Sequence, residues 1–241
     1  MSRMIENRER GNKLIEIDKY IILFFAFSFL GWLMEVMMVI LKERKIVNRG
    51  FLIGPCCPIY GFGGLIMTLL LQNIKNNPII LFLLSLLICS VLEYGTSYVM
   101  EKLFHARWWD YSNRKFNING RICLTNMIAF GLLGCLIIYI LDPIYFEKIK
   151  YLSTQILNII CIILLALFLI DSIFSVKIIK NIKLIKKNMK DNTEEITRRV
   201  KEILIEKSAL TRRIVEAFPN MMVIKEKIKR ISKQDLKFKN K

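Results

Sequence analysis

Two glutamates set inside long apolar stretches, each followed by a loop arginine, are the residues of this chain best placed to do chemistry. Glu35 follows Gly31-Trp32-Leu33-Met34, and Glu93 sits in Val91-Leu92-Glu93-Tyr94. After each comes a basic loop, then Asn48-Arg49 or Asn119-Gly120-Arg121, then an apolar segment carrying Gly61 and Gly63 or Gly131 and Gly134. An ionised carboxylate at the centre of a bilayer costs on the order of 2.5–3.5 kcal/mol, less off-centre, so such a group faces a partner or water. Two uses fit: a proton or ion relay forming part of a substrate site, or a structural ion pair with Arg49 and Arg121. Each arginine stands where a loop gives way to a helix, so its guanidinium joins the positive end of a helix dipole and could hold an anion. Ordinary cytoplasmic loop arginines would occupy the same places without any ligand.

Other polar residues are less sharply placed. Trp108-Trp109-Asp110-Tyr111, with Phe104 and Phe116 around it, has the amphipathic aromatics of a membrane interface. Asp110 among the rings could instead line a headgroup or substrate mouth. His105 reads as a loop residue, and Asp171 as an acid that snorkels or pairs with Lys177 or Lys180 near the end of its segment. The glycines read as contact points between helices. All six cysteines (Cys56, Cys57, Cys89, Cys123, Cys135, Cys161) lie in or beside apolar segments without paired metal-ligand spacing, and there is a single histidine. No cofactor, zinc or haem is therefore expected, and no catalytic nucleophile or metal constellation points to an enzyme.

The elements that must position these residues are helices in a membrane. Residues 20–41, 79–100, 122–141 and 152–176 each supply the ~20 apolar residues of a spanning helix. Residues 55–72 form a shorter block opened by Gly54-Pro55 and Pro58, for which a re-entrant segment is the rival to a span. Residues 1–19 mix both signs of charge ahead of a long apolar run, unlike a cleavable signal. They are read as an N-terminal polar segment. Glu35 and Glu93 then lie six and seven residues from the ends of their helices, roughly 9–10 Å deep at ~1.5 Å per residue.

The net charge is +17, and 20 of the 37 Lys and Arg fall in residues 177–241. A tail so basic stays in the cytoplasm, which places the loops 42–53 and 101–121 there also if the chain crosses five times. The connections 72–78 and 142–151 are then external. The N-terminus, with five basic residues, sits outside in this scheme and inside in the four-span alternative. What favours five spans is the repetition: the loop Asn and the helix Gly both recur 71 residues on (48 to 119, 63 to 134), whereas the two Glu are 58 apart (35 to 93). The second loop has gained 13 residues, and since two similar hairpins should share one orientation, only five spans put both basic loops on one face.

Beyond Lys177 the chain becomes soluble in character. Asn192 and Glu195 read as a capping box for a helix carrying Ile196, Val200, Ile203, Leu204, Leu210, Ile214 and Phe218 on one face, ended by Pro219-Asn220. A second amphipathic stretch covers Met221–Ile231. Such a stripe beside many lysines suits anionic lipid or a partner helix. No nucleic acid is expected, since no motif with interleaved aromatics appears.

From Phe24 to about Ile140 the chain resembles the ABC-transporter permease family of the CmpB type, a bacterial multi-pass family. The resemblance rests on Gly31-Trp32 with Glu35, on Asn48-Arg49-Gly50-Phe51-Leu52 with Gly54-Pro55, and on Cys57-Pro58-Ile59-Tyr60-Gly61-Phe62-Gly63. It continues through Leu92-Glu93-Tyr94, Ala106-Arg107-Trp108-Trp109-Asp110-Tyr111-Ser112 and Asn117-Ile118-Asn119-Gly120-Arg121-Ile122-Cys123. It implies a transport role and brings no assigned site residues with it. The chain has no Gly-x-x-x-x-Gly-Lys-Ser/Thr loop, so ATP hydrolysis would need a separate ATPase subunit.

The combined expectation is an all-α polytopic protein of the bacterial inner membrane. It has about five transmembrane helices (residues 20–176), a parallel hairpin repeat, and a basic cytoplasmic helical tail (177–241). It is read as a transporter permease-like subunit with a polar site of Glu35, Glu93, Asn48, Arg49, Asn119 and Arg121. The alternatives are a membrane-embedded enzyme acting on lipid headgroups, or a scaffold recruiting partners through its tail. Self-association remains open.

Overall fold

The computed structural model describes residues 2–187 and 193–223. Among the described residues four helices are long and apolar enough to cross a membrane: Ile15–Glu43, Pro78–Phe104, Leu124–Ile149 and Thr154–Ile178. The last has a mean hydropathy of 2.8 with only 11% of its apolar window buried. A helix apolar all round yet uncovered by protein needs lipid as its surroundings. The chain is a helical polytopic membrane protein.

The first helix, α1 (Ser2–Glu43), continues without interruption through the N-terminal polar segment. Next comes α2 (Pro58–Leu71), extended by a 3-10 turn over Gln72–Ile74. Pro58 is suited to its first turn, where the missing N–H costs nothing. At 17 residues it is about 25 Å long against a hydrocarbon core of ~30 Å. Asn77 caps α3 (Pro78–Phe104) by accepting from the Ile80 N–H at 3.1 Å.

The third long helix, Leu124–Ile149, differs from expectation. It does not stop at residue 141, but runs through α4 (Leu124–Leu136), a π turn (Ile137–Leu141) and α5 (Asp142–Ile149). Pro143 lacks an N–H and its ring would crowd the preceding turn. The widened turn, in which Asp142 N–H reaches back to Ile137 O, accommodates it. Asp142, expected in an external connection, is instead fully buried, accepting from Thr68 Oγ1 (3.0 Å) and Gln72 Nε2 (2.7 Å) of the second helix.

The helices form two antiparallel hairpins, α1 with α2 and α3 with α4, while α6 (Thr154–Lys187) lies along α1. Glycines bring each pair together. A methyl group at Gly61 or Gly64 would strike Phe24 or Phe27, and one at Gly131 or Gly134 would strike Phe82 or Ser85. Leu23 and Phe27 of α1, Met67 and Leu71 of α2, Leu81 and Cys89 of α3, and Ile137 and Ile138 of the π turn then close one apolar core between the hairpins.

A second core lies at one end of the bundle. Inside the second loop, β1 (Ala106–Arg107) is followed by a small hairpin of β2 (Asn117–Ile118) and β3 (Ile122–Cys123). Asn119 and Gly120 both have positive φ (53° and 66°) and Arg121 N–H closes onto Ile118 O at 3.0 Å. The positive φ at both residues makes Ile118–Arg121 a turn of the primed kind, and the register leaves three residues, Asn119–Arg121, between the paired Ile118 and Ile122. The tail helix is not continuous either: α7 (Thr193–Lys207) and α8 (Ala209–Ala217) meet at Ser208. Ser208 and Thr211 exchange side-chain-to-backbone bonds as a capping box, a strong start signal inside an otherwise helical run. The expected cap at Asn192 lies outside the described residues. So does most of Met221–Ile231, but Met222–Val223 forms a strand, β4, and not a helix.

β4 pairs antiparallel with β1, Ala106 opposite Val223 and Arg107 opposite Met222. Around that seam Val200, Leu204, Ile214, Met221 and Val223 enclose Trp108, which is 2% exposed. The tail's apolar stripe is therefore covered by the chain's own second loop, and Trp108 is a core residue and not an interface anchor. Ile203 and Leu210, also assigned to that stripe, stay exposed.

Candidate functional site

Gly31 and Glu35 stand one helical turn apart on the same face of α1. With no side chain at Gly31, the ring of Tyr60 lies across the helix there. Its hydroxyl then donates to Glu35 Oε1 at 2.7 Å. Arg49 approaches from the first loop, its Nε 3.7 Å from Glu35 Oε2. The loop itself is fixed by Asn48, which accepts from Trp32 Nε1 (2.7 Å) and donates to Ile53 O (2.6 Å). Cys57 sits beneath it, with its Sγ 3.4 Å from Arg49 O.

The second hairpin offers its acid to a different donor. Glu93 is 6% exposed and accepts at Oε1 from the Tyr111 hydroxyl at 3.1 Å. Asn126 at the start of α4 lies beside both groups, but Glu93 Oε2 has no donor in hydrogen-bond geometry. Burial pushes the Tyr111 phenol above its usual range, and the neighbouring Glu93 carboxyl adds to the effect, so Tyr111 is a lasting proton donor. The hairpins that carry Glu35 and Glu93 meet where Gly63 of the second helix lies against Cys89 and Leu92 of α3.

Of the four residues expected to pair, only Glu35 and Arg49 meet. Arg121 does not reach Glu93. Its Nη2 lies 2.8 Å from Glu101 and its Nη1 donates to Ser97 at 3.1 Å, with the rings of Tyr94 and Tyr98 about its guanidinium. The physical reason is the inserted β-hairpin, which carries Arg121 to the end of α3, where Glu101 also binds Arg107 at 3.2 Å. Asn119 is a turn residue, and its side chain donates to the Tyr94 hydroxyl at 3.0 Å.

The aromatic cluster divides its work. Trp108 is buried, Trp109 donates to Arg121 O at 3.1 Å, and Tyr111 serves Glu93. Asp110 binds its own neighbours, accepting from Ser112 N (3.1 Å) and Ser112 Oγ (2.6 Å) with Arg107 at 3.6 Å. That is a local turn and not the lining of a mouth.

Several partners went unseen in the sequence. Asp171 does not pair with Lys177, whose ammonium lies over the Phe174 ring. Its two oxygens accept from the Ile53 and Gly54 N–H groups, each at 2.8 Å, holding the end of the first loop. From the other side Arg213 of α8 donates to the carbonyls of Asn48, Gly50 and Phe51 at 3.3–3.5 Å. Glu101, Asn126 and Arg213 carry no local motif, and Tyr60 is marked only as part of the Cys57–Gly63 motif, so the contacts across the fold reveal their roles. Among the described residues no group of His, Cys, Asp and Glu is arranged to hold a metal ion.

Comparison with known proteins gives one positive result. A family model described as Putative ABC-transporter type IV, of the CmpB type, matches residues 22–176, which run from within α1 to within α6 and include both loops of the site. No curated protein and no solved structure matches the chain. With a match over well more than half of its length, the chain belongs to the family of Putative ABC-transporter type IV proteins.

Proposed function

We propose that this chain is the permease-like membrane subunit of a transporter, and that Glu35, Arg49, Tyr60, Glu93 and Tyr111 form its polar site at the junction of two repeated hairpins. The observation that carries this reading is two acids, 58 residues apart in sequence, each taking a tyrosine hydroxyl (Tyr60 on Glu35, Tyr111 on Glu93), in hairpins that touch where Gly63 meets Cys89 and Leu92. Carboxyl groups in that setting lie on substrate or ion pathways more often than they serve packing alone.

Repetition adds support. The Phe24–Gly61 contact of the first hairpin has its counterpart in Phe82–Gly131, and Phe27–Gly64 has its counterpart in Ser85–Gly134. In both cases the first partner shifts by 58 positions and the second by 70 (24 to 82 and 61 to 131; 27 to 85 and 64 to 134). Repeats of this kind build sites at their interface in transporters. The chain carries no phosphate-binding loop, so the energy source is a separate ATPase subunit. The membrane is the bacterial inner membrane, with the loops and tail on its cytoplasmic side.

The test is to purify the chain with its bound subunits from native membranes and assay ATP hydrolysis. The complex is expected to hydrolyse ATP, and Glu35→Gln or Glu93→Gln to lower kcat with assembly retained. A complex without hydrolysis, or with hydrolysis indifferent to both substitutions, overturns the reading.

A further inference from the structure

Arg213 lies outside the transmembrane bundle, yet it holds the loop that delivers Arg49 to Glu35. Its two terminal nitrogens bind the carbonyls on either side of Arg49, those of Asn48 and Gly50, and that of Phe51. The Phe51 ring in turn packs against Phe104 and Trp108, at centroid distances of 5.4 and 5.8 Å, and Trp108 packs against Phe218 at 4.9 Å. Phe218 follows α8 directly. The tail therefore grips both loops at once, the first through Arg213 and the second through the β1–β4 seam and Trp108. Those same loops supply Arg49 to Glu35 and Tyr111 to Glu93.

We infer that residues 193–223 are a closing cap over the polar site, with Arg213 as the positioning residue that latches it, and that undocking of this cap opens the site on the loop face. The inference rests on the polar-site reading and assigns its regulation. Burial of the guanidinium disfavours its charged form, and its Nε is left buried without a partner. A cation held at such a cost by three ordinary carbonyls is a fastening that can be released, unlike a buried ion pair, where parting leaves two charges unpaired. The opposite end of the loop behaves differently, since Asp171 takes two N–H groups of adjoining residues at 2.8 Å and serves as a fixed hinge point.

Cys57 reports on the latch. It is 8% exposed, and the loop carbonyl of Arg49 covers its sulfur. Cys161, 2% exposed, lies far from the cap beside Asp18 O. In full-length protein with Cys57 as the sole cysteine, a bulky maleimide should react slowly. In Arg213→Gln it should react about tenfold faster, the factor that ~1.4 kcal/mol of opening free energy gives, and in Arg213→Lys at an intermediate rate. A sole Cys161 should react alike in all three. Equal Cys57 rates overturn the inference, and so does acceleration of Cys161 in step, because that marks general loosening.

A disulfide between Ala106→Cys and Val223→Cys, directly opposed across β1 and β4, gives a second variant that does not depend on losing Arg213. With both added to the sole-Cys57 background and labelling at Cys57 read by peptide mass, Cys57 should react more slowly than in that background and recover once the disulfide is reduced and the reductant removed. No slowing overturns the cap. A flat Cys57 profile leaves the polar-site reading standing, since that reading is decided by ATP hydrolysis.

Discussion

Arg49 and Arg121 occupy corresponding places after their two loops and yet neutralise different acids, which makes them separable by mutation. Arg49 is 3.7 Å from Glu35, and both side chains keep partial access to solvent. Removing either should cost only about 1 kcal/mol, as for partly exposed pairs. Arg121 is more deeply enclosed and 2.8 Å from Glu101. Arg121→Gln should cost less than the ~3–5 kcal/mol of a stranded buried acid, because Arg107 stays 3.2 Å from Glu101, with Glu101→Gln restoring part of the loss. Glu93→Gln should restore none. A double-mutant cycle on melting temperature in detergent checks this, and rescue through Glu93 would contradict the geometry. The two acids were legible because a carboxylate in an apolar run is conspicuous. Their donors were not, since Tyr111 read as an interface aromatic and Tyr60 only as one position of a family motif. Proximity across the fold leaves no mark in local spacing.

Helices were legible from the length of their apolar blocks, and the hairpins from repeated motifs, but element boundaries near proline and serine were not. The π turn before Pro143 prolongs a helix that composition appeared to end, and Ser208 divides one that periodicity joined. Close packing at glycine gives the sharpest test at this scale. Gly64→Leu and Gly131→Leu should each cost at least ~1–3 kcal/mol by forcing the hairpins apart. Gly95→Ala, with nothing within 4 Å of the added carbon, should be neutral within about 0.5 kcal/mol. Thermal unfolding of the three variants separates a contact glycine from an idle one. The Asn119-Gly120 pair was visible in sequence and carries a turn signal. Gly120→Ala should therefore destabilise by ~1–2 kcal/mol, because its φ of 66° suits glycine and a methyl group would strike Asp110 and Ser112.

At the scale of the whole molecule, contacts sort the connections into two ends. Arg213 ties the first loop to the tail, and Trp108 ties in the second. Tyr139 donates to Lys75 O (2.6 Å) and Tyr145 to Lys19 O at the other end. Cysteines at residues 44, 114 and 210 should thus label from one side of the membrane, and those at 75 and 148 from the other. Labelling of 44 and 114 from opposite sides would undo the equivalence of the hairpins. The tail's role also changes with the structure. Its apolar residues Val200, Leu204 and Ile214 face Trp108, so among the described residues lipid is left the tail's outer surface, basic but for Ile203, Ile205 and Leu210. Full-length protein in nanodiscs should show a salt-dependent gain in cap protection on anionic over neutral lipid, fading as the screening length falls below ~8 Å. That dependence should be absent if the outer surface has no contact with headgroups.

The pairing of Ala106 with Val223 also sets a timetable. Residues 107 and 222 are 115 positions apart, so a ribosome adding ~5–20 residues per second leaves Trp108 without its enclosure for roughly 6–23 s after it emerges. During that interval the α4–α5 and α6 segments must enter the bilayer while an indole meant for a protein interior is bare to water. A nascent chain stalled before Met222 cannot finish this enclosure, whatever the state of its membrane helices. Surveillance proteases that recognise exposed aromatic loops would therefore discriminate complete from truncated chains at a point remote from the truncation itself.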